Sequence, residues 1–170
     1  MNELIRNILK KLNIENVNVS GKVRVITTDS KTGQIENIGE WSKNLIMFTA
    51  GRGRQQMLDR LAGIVTYTGI INYGAIGTNN TAVTTSDTQL GTEVARTTVA
   101  TVTITGSVVT LKFFFADANL ANGTYYEFGT FVDGTASANS GQMFNHALFG
   151  SSHTKTTRKD TTVQVDITIS

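Results

Sequence analysis

RTTVATVTITGSVVTLKFFF, residues 96–115, decides the fold class. Val99, Val102 and Ile104 alternate with threonines, the period-2 signature of a strand with one buried face. Gly106-Ser107 is a two-residue turn of the glycine-first kind, and Val108–Phe115 returns antiparallel to the first strand. Outward from this hairpin the pattern repeats. Residues 124–132 (TYYEFGTFV), 142–149 (QMFNHALF) and 161–169 (TTVQVDITI) all read as strands. In the last, Val163, Val165, Ile167 and Ile169 face one side, with Thr162, Gln164, Asp166 and Thr168 on the other. Loops at 117–123, 133–141 and 151–160 separate them, and 133–141 (DGTASANSG) reads as flexible and exposed. Strands at roughly 8–12-residue spacing, joined by Gly, Asn and Asp turns, predict a mainly β chain, an antiparallel β-sandwich of jelly-roll type.

Toward the N-terminus, residues 17–29 alternate. Val23 and Val25 face one way, and Lys22 and Arg24 the other. Asp29-Ser30-Lys31-Thr32-Gly33 is a hairpin turn, with a return strand over 34–40 and Trp41 near its end. Thr49 reads as an N-cap for a helix over 50–62, with Met57, Leu58 and Leu61 as its buried stripe and Gly63 as its stop. Residues 2–13 (NELIRNILKKLN) have helical spacing, with Leu4, Ile5, Ile8, Leu9 and Leu12 on one side and Arg6, Asn7, Lys10 and Lys11 on the other. A lone helix this short is marginal in water, so its stripe must dock: on its own domain, on a neighbouring subunit or, least favoured without Trp or Phe, on a membrane surface. These five apolar residues are the candidate assembly contacts. The expected organisation is an anchoring helix over 1–16 and a single domain over 17–170 that includes helix 50–62.

Composition narrows the function classes. The 170 residues carry 15 basic and 13 acidic side chains, a net charge of +2 with the basic residues scattered, which argues against a nucleic-acid partner. No apolar run approaches the roughly 20 residues that cross a bilayer, and the first residues lack a secretory pattern, so synthesis and folding in a cytoplasm are expected. Without cysteine there is neither a disulfide nor a thiolate.

No catalytic constellation is legible, and no catalytic, cofactor or metal residue is assigned. His146 and His153 lack partners at ligand spacing. Asp29, Asp87, Asp117 and Asp133 all fall at turns, where Asp caps backbone. No Gly-x-Ser-x-Gly elbow occurs, and Gly51-Arg52-Gly53-Arg54 lacks the spacing of a phosphate-binding loop. Lys155, Arg158 and Lys159 read as a solvated turn, and the aromatics of 124–131 as core more than sugar platform. The structural ion-pair candidates are Glu93, Arg96 and Glu127. Glu93 and Arg96 are three apart, side by side on a helical turn. Glu127 lies among Tyr125, Tyr126, Phe128 and Phe131, so if it points inward it needs a cation, for which Arg96 is the candidate.

Four signatures occur in order: Ile76-Gly77-Thr78; Leu90-x-x-Glu93-x-x-Arg96; Glu127-Phe128-Gly129-Thr130-Phe131; and Gly141-Gln142-Met143-Phe144-Asn145-His146-Ala147-Leu148-Phe149, followed by a basic stretch and an alternating terminal strand. Together with Asn44-Leu45 ahead of a helix over 51–61, they resemble a diffuse family of tailed-bacteriophage virion proteins found as tail, fibre-associated or other particle-surface components. The resemblance covers about residues 21–169. Thr130 stands where that family tends to have an apolar residue and His146 where it tends to have Arg. The resemblance implies a non-enzymatic structural component of a virion, made in the host bacterial cytoplasm. It implies assembly with copies of itself and other virion proteins, at the tail or a fibre attachment point. The alternatives are a capsid decoration or head fibre protein, and a lectin-like module for host surface glycan. No cofactor, nucleic acid or membrane partner is expected.

Overall fold

The computed structural model describes residues 18–170. The segment read as an N-terminal helix, with Leu4, Ile5, Ile8, Leu9 and Leu12, lies outside the described residues. Nine strands follow: β1 (Val19–Asp29), β2 (Ile35–Ile38), β3 (Ser42–Ile46), β4 (Ile71–Gly77), β5 (Glu93–Thr105), β6 (Val108–Phe115), β7 (Gly123–Val132), β8 (Gln142–Lys155) and β9 (Lys159–Ile169). A helix, α1 (Arg54–Leu61), lies between β3 and β4.

All pairings are antiparallel, but the architecture is a closed barrel and not the predicted sandwich. Eight strands run β1-β3-β8-β7-β4-β5-β6-β9, and β9 pairs with β1 along its whole length, from Val19↔Ile169 to Asp29↔Lys159. β2 continues β3's place along the same edge of β1. The inside–outside alternation of a strand is identical in a sandwich and a small barrel, so periodicity did not separate them. What closes the sheet is strand length and bulging. β5 pairs with β4 through Glu93–Thr98 and with β6 through Val99–Thr105. Register shifts at Ile76/Gly77, Val99/Thr101, Tyr125/Glu127 and Thr130/Phe131 bend β4, β5, β7 and β8 around the axis.

Val23, Val25, Phe113, Phe128, Val163 and Val165 meet inside the barrel. Phe113 and Phe128 lie 5.3 Å apart between ring centres. Gly74 of β4 makes room for both, since a Cβ there would fall 2.5 Å from each ring. A second, smaller cluster of Met47, Ala75, Leu90, Phe131 and Met143 lies on the outer face of the β4-β7-β8 wall, roofed by the loop 78–92.

The β1–β2 hairpin turns at Asp29, whose carboxylate accepts the Lys31 and Thr32 amides at 2.9 Å, with Gly33 at φ 71°. On the outer face of β1, Lys22 and Arg24 lie 4.3 and 4.4 Å from the Trp41 ring centre, a pair of cation–π contacts.

The helix departs from its predicted form. It starts at Arg54 after Gly53, without a side-chain cap from Thr49. Gly51 and Gly53 take left-handed φ of 72° and 47°, which turns the chain tightly and delays the helix, and the Arg54 amide donates to the Met47 carbonyl at 3.0 Å. This rotates the predicted stripe outward. Met57 packs on the core, but Leu58 is 53% and Leu61 87% exposed, while polar Gln56 is buried.

Candidate functional site

The chemistry-bearing side chains gather in three buried clusters, each where a loop meets the barrel. The first is centred on Glu127. A bulge after Tyr125 turns Tyr125 inward and Glu127 outward, beneath the loop 78–92. Its carboxylate accepts the backbone amides of Thr92 at 2.8 Å, Gly91 at 2.9 Å and Asn79 at 3.2 Å. Nε2 of His146, from β8, lies 3.0 Å from Oε2. Nδ1 of the same ring lies 2.7 Å from Asp87, whose carboxylate also accepts the Thr84 amide and hydroxyl at 3.0 and 2.6 Å. Gly77 is required here, because a Cβ would collide with Glu127 and with the Thr92 carbonyl.

Burial pushes the Glu127 carboxyl up, but the His146 ring and the three amides outweigh it and hold it below its ordinary value. Asp87 is lowered likewise: burial opposes, while the Thr84 bonds and the His146 ring prevail. The ring therefore lies between two carboxylates, and it donates to both only when both nitrogens carry protons. A shallow pocket of about 110 Å³, lined by Asn79, Thr81, Asp87, Gln89 and His146, opens beside it.

The second cluster joins β5 to the loop 133–141. Arg96 and Glu93 form a two-pronged pair, Nε–Oε1 at 2.7 Å and Nη2–Oε2 at 3.0 Å, with side chains only 4% and 3% exposed. They are three apart on a strand, not on a helical turn. The shift that pairs Gly77 with Glu93 and Ile76 with Ala95 leaves Val94 over, so both side chains reach the outer face. Nη1 of Arg96 donates to the Thr135 carbonyl at 2.9 Å and to the Ser140 carbonyl and hydroxyl at 3.1 and 2.5 Å. Glu93 accepts the Asn139 amide at 3.1 Å, and the guanidinium stacks 4.9 Å over Phe131. The loop read as flexible is thus held at both ends of this pair. Arg96 is not the partner of Glu127; His146 and the loop amides are.

The third cluster overturns the solvated-turn reading of the basic loop. Lys155, 2% exposed in its side chain, is ion-paired with Asp117 and donates to the Asp117 carbonyl at 3.0 Å and to Asn122 at 3.1 Å. The other Asp117 oxygen accepts the Arg158 amide at 2.9 Å, and the Lys155 bond together with that amide lowers its pKa against the opposing effect of burial. Arg158 reaches Asp29 at 3.3 Å and Lys159 pairs with Glu36. Nearby, His153 stacks on Tyr125 and lies 2.9 Å from the Thr161 hydroxyl. Burial, with the Lys155 charge, lowers the His153 pKa to about 4.

That shift yields a pH prediction. Between about pH 6.5 and pH 4 the unfolded chain binds a proton at His153 and the native chain does not, so stability is intact above pH 6.5 and lost as pH falls toward 4. The full loss is about 3 kcal/mol at 1.36 kcal/mol per unit. Urea midpoints of the wild type are expected to fall between pH 7 and pH 5, and those of His153→Gln to fall less.

These arrangements hold loops against the barrel wall. Glu127 spends its lone pairs on four donors, leaving none for a general base. The chain Asp87–His146–Glu127 has a carboxylate at each end, where a nucleophilic triad needs a hydroxyl or thiol at one of them. Among the described residues no group of three or more His, Asp or Glu is arranged to hold a metal ion. A larger cleft of about 300 Å³ between β2 and the end of β8 is lined mainly by Ser, Thr, Asn and Gly, with Glu36 already paired to Lys159.

The sequence singled out Glu93, Arg96 and Glu127, and all three are buried-cluster residues. It did not find His146 as the partner of Glu127, Ser140 as that of Arg96, Asp87 as the second partner of His146, or Lys155 as the partner of Asp117. The available hint was His146 amid the buried run Phe144–Ala147. Scans against family models, curated proteins and solved structures return no significant match.

Proposed function

We propose that the chain is a non-enzymatic structural component of a tailed-phage virion, seated at the tail or a fibre attachment point and assembling with other virion proteins. One observation carries the reading. The four sequence signatures that resemble virion proteins are far apart in the chain, yet they converge on one wall of the barrel. Gly77 abuts Glu127, and the Thr78 amide donates to the Thr92 carbonyl at 3.0 Å. Leu90 packs on Phe131 and Met143, Glu93 pairs with Arg96, and Glu127 meets His146. Charged groups at that wall fix loops, as a part that must persist in a particle requires.

Two surfaces suit assembly. Among the described residues β2 pairs only with β1, and its other edge carries no strand there, beside Ile35 and Ile38, both more than half exposed. The β5–β6 hairpin exposes Val102 and Ile104 at 57% and 72%. A glycan platform built on the aromatics of β7 is disfavoured, because Tyr125, Phe128 and Phe131 are all buried. Sedimentation of the chain with separated phage heads and tails tests the proposal, with the tail fraction expected to carry it.

A further inference from the structure

The outward-facing side of α1 is the largest apolar anomaly among the described residues. Leu58, Leu61, Ile64 and Val65 are 53, 87, 49 and 75% exposed and follow one another through α1 and the turn after it, and Phe48, before the helix, is 64% exposed. Single exposed apolar residues need no explanation, but four within eight positions of a helix and its following turn are the kind of apolar surface that marks an interaction site. The helix points its polar Gln56 inward and its leucines outward, the reverse of a helix that rests only on its own barrel.

The register of β1 says what lies within reach. The ladder of β1 with β3 runs antiparallel from Val23↔Ser42 to Gly21↔Asn44, so the chain before Gly21 heads toward the end of the barrel where β3 gives way to Met47. Met47 is where α1 is pinned, through the Arg54 amide. Asn18, where the described residues begin, therefore lies at the same end of the barrel as the start of α1. Residues 2–13 supply five apolar residues at helical spacing, Leu4, Ile5, Ile8, Leu9 and Leu12. From Leu12 to Asn18 is six residue steps, up to about 20 Å of extended chain, while α1 is about 12 Å long. A tether of that length gives the segment an effective concentration in the millimolar range at the patch, far above that of a second copy at ordinary protein concentrations.

We propose that the exposed face of α1 is the seat of this chain's own residues 2–13, whose apolar stripe covers Leu58, Leu61, Ile64 and Val65 and leaves Arg6, Lys10 and Lys11 in solvent. This does not rest on the virion reading.

The chain has no cysteine, so introduced pairs report without background. In the full-length protein, Leu61→Cys is combined in turn with Ile5→Cys, Leu9→Cys and Leu12→Cys, and Leu9→Cys with Lys31→Cys, at the far end of the barrel, as control. Under mild oxidation of dilute protein, at least one Leu61 pair is expected to close within the monomer about ten times faster than the control, at a rate independent of concentration, as a matched tether predicts. Disulfide dimers that form instead, and disappear on dilution, would assign the face to a second copy and overturn the proposal. Closure of all Leu61 pairs at the control rate would overturn it too. As a check independent of cross-link geometry, Leu9→Asp in the cysteine-free chain is expected to raise binding of a hydrophobic dye, and unchanged dye binding would count against the proposal.

Discussion

Replacing Arg96 by methionine is expected to destabilise the protein by about 3–5 kcal/mol, the usual cost of removing one partner from a buried ion pair. Methionine keeps much of the bulk over Phe131, so the loss comes from polar groups left without partners. Glu93 would remain as a buried carboxylate with only the Asn139 amide. The Ser140 carbonyl would lose its guanidinium donor, and the Thr135 carbonyl would keep only the Ser140 hydroxyl. Chemical denaturation followed by fluorescence measures the change, and proteolysis localises it, with new cleavage expected within 133–141 and not elsewhere. Arg96→Lys keeps the charge but loses the two-pronged geometry and should fall between the two. An unchanged denaturation midpoint for Arg96→Met would remove this pair from the account.

Glu127→Ala is expected to cost at least about 3 kcal/mol, since three backbone amides and the His146 ring lose a buried acceptor at about 1–3 kcal/mol per unmet group. The loop 78–92 should then exchange its Gly91 and Thr92 amide hydrogens much faster, while the β1–β9 ladder stays protected. The same residue adds an acid-side pH dependence. Its folded pKa lies below the ordinary value of 4.5, so its contribution is present above that value and lost as pH falls through the lower folded value. Glu127→Gln removes this component while leaving the His153 component, which acts between about pH 6.5 and 4.

Element type was legible because strand alternation is a local property. Val163, Val165 and Ile167 are inside, as their spacing requires, and the turns at Gly33 and Gly106 take left-handed φ. Closure was not legible. It depends on which strand pairs with which, and β1–β9 pairing spans nearly the whole described chain. The bulges that curve the wall fall among ordinary strand residues such as Val99, Tyr125 and Phe131 and leave no residue signature of their own. The helix lies within its predicted bounds, but its cap and buried face differ from the apolar spacing because Gly51 and Gly53, which lie before it, set its orientation. The buried pairing of Glu93 with Arg96 is a consequence of the extra residue Val94, which puts positions three apart on one face of a strand. His146 was passed over because a ligand search asks for neighbours in sequence, whereas its partners, Asp87 and Glu127, lie 59 and 19 residues away.

We propose a chain that is a built-in part of a tailed-phage particle. The direct measurement is sedimentation of the full-length chain with purified heads and purified tails, each fraction analysed by quantitative mass spectrometry. The account predicts a fixed copy number in the tail fraction that resists washing at high salt. Recovery of the chain only in the soluble fraction, with none retained on heads or tails, would contradict it.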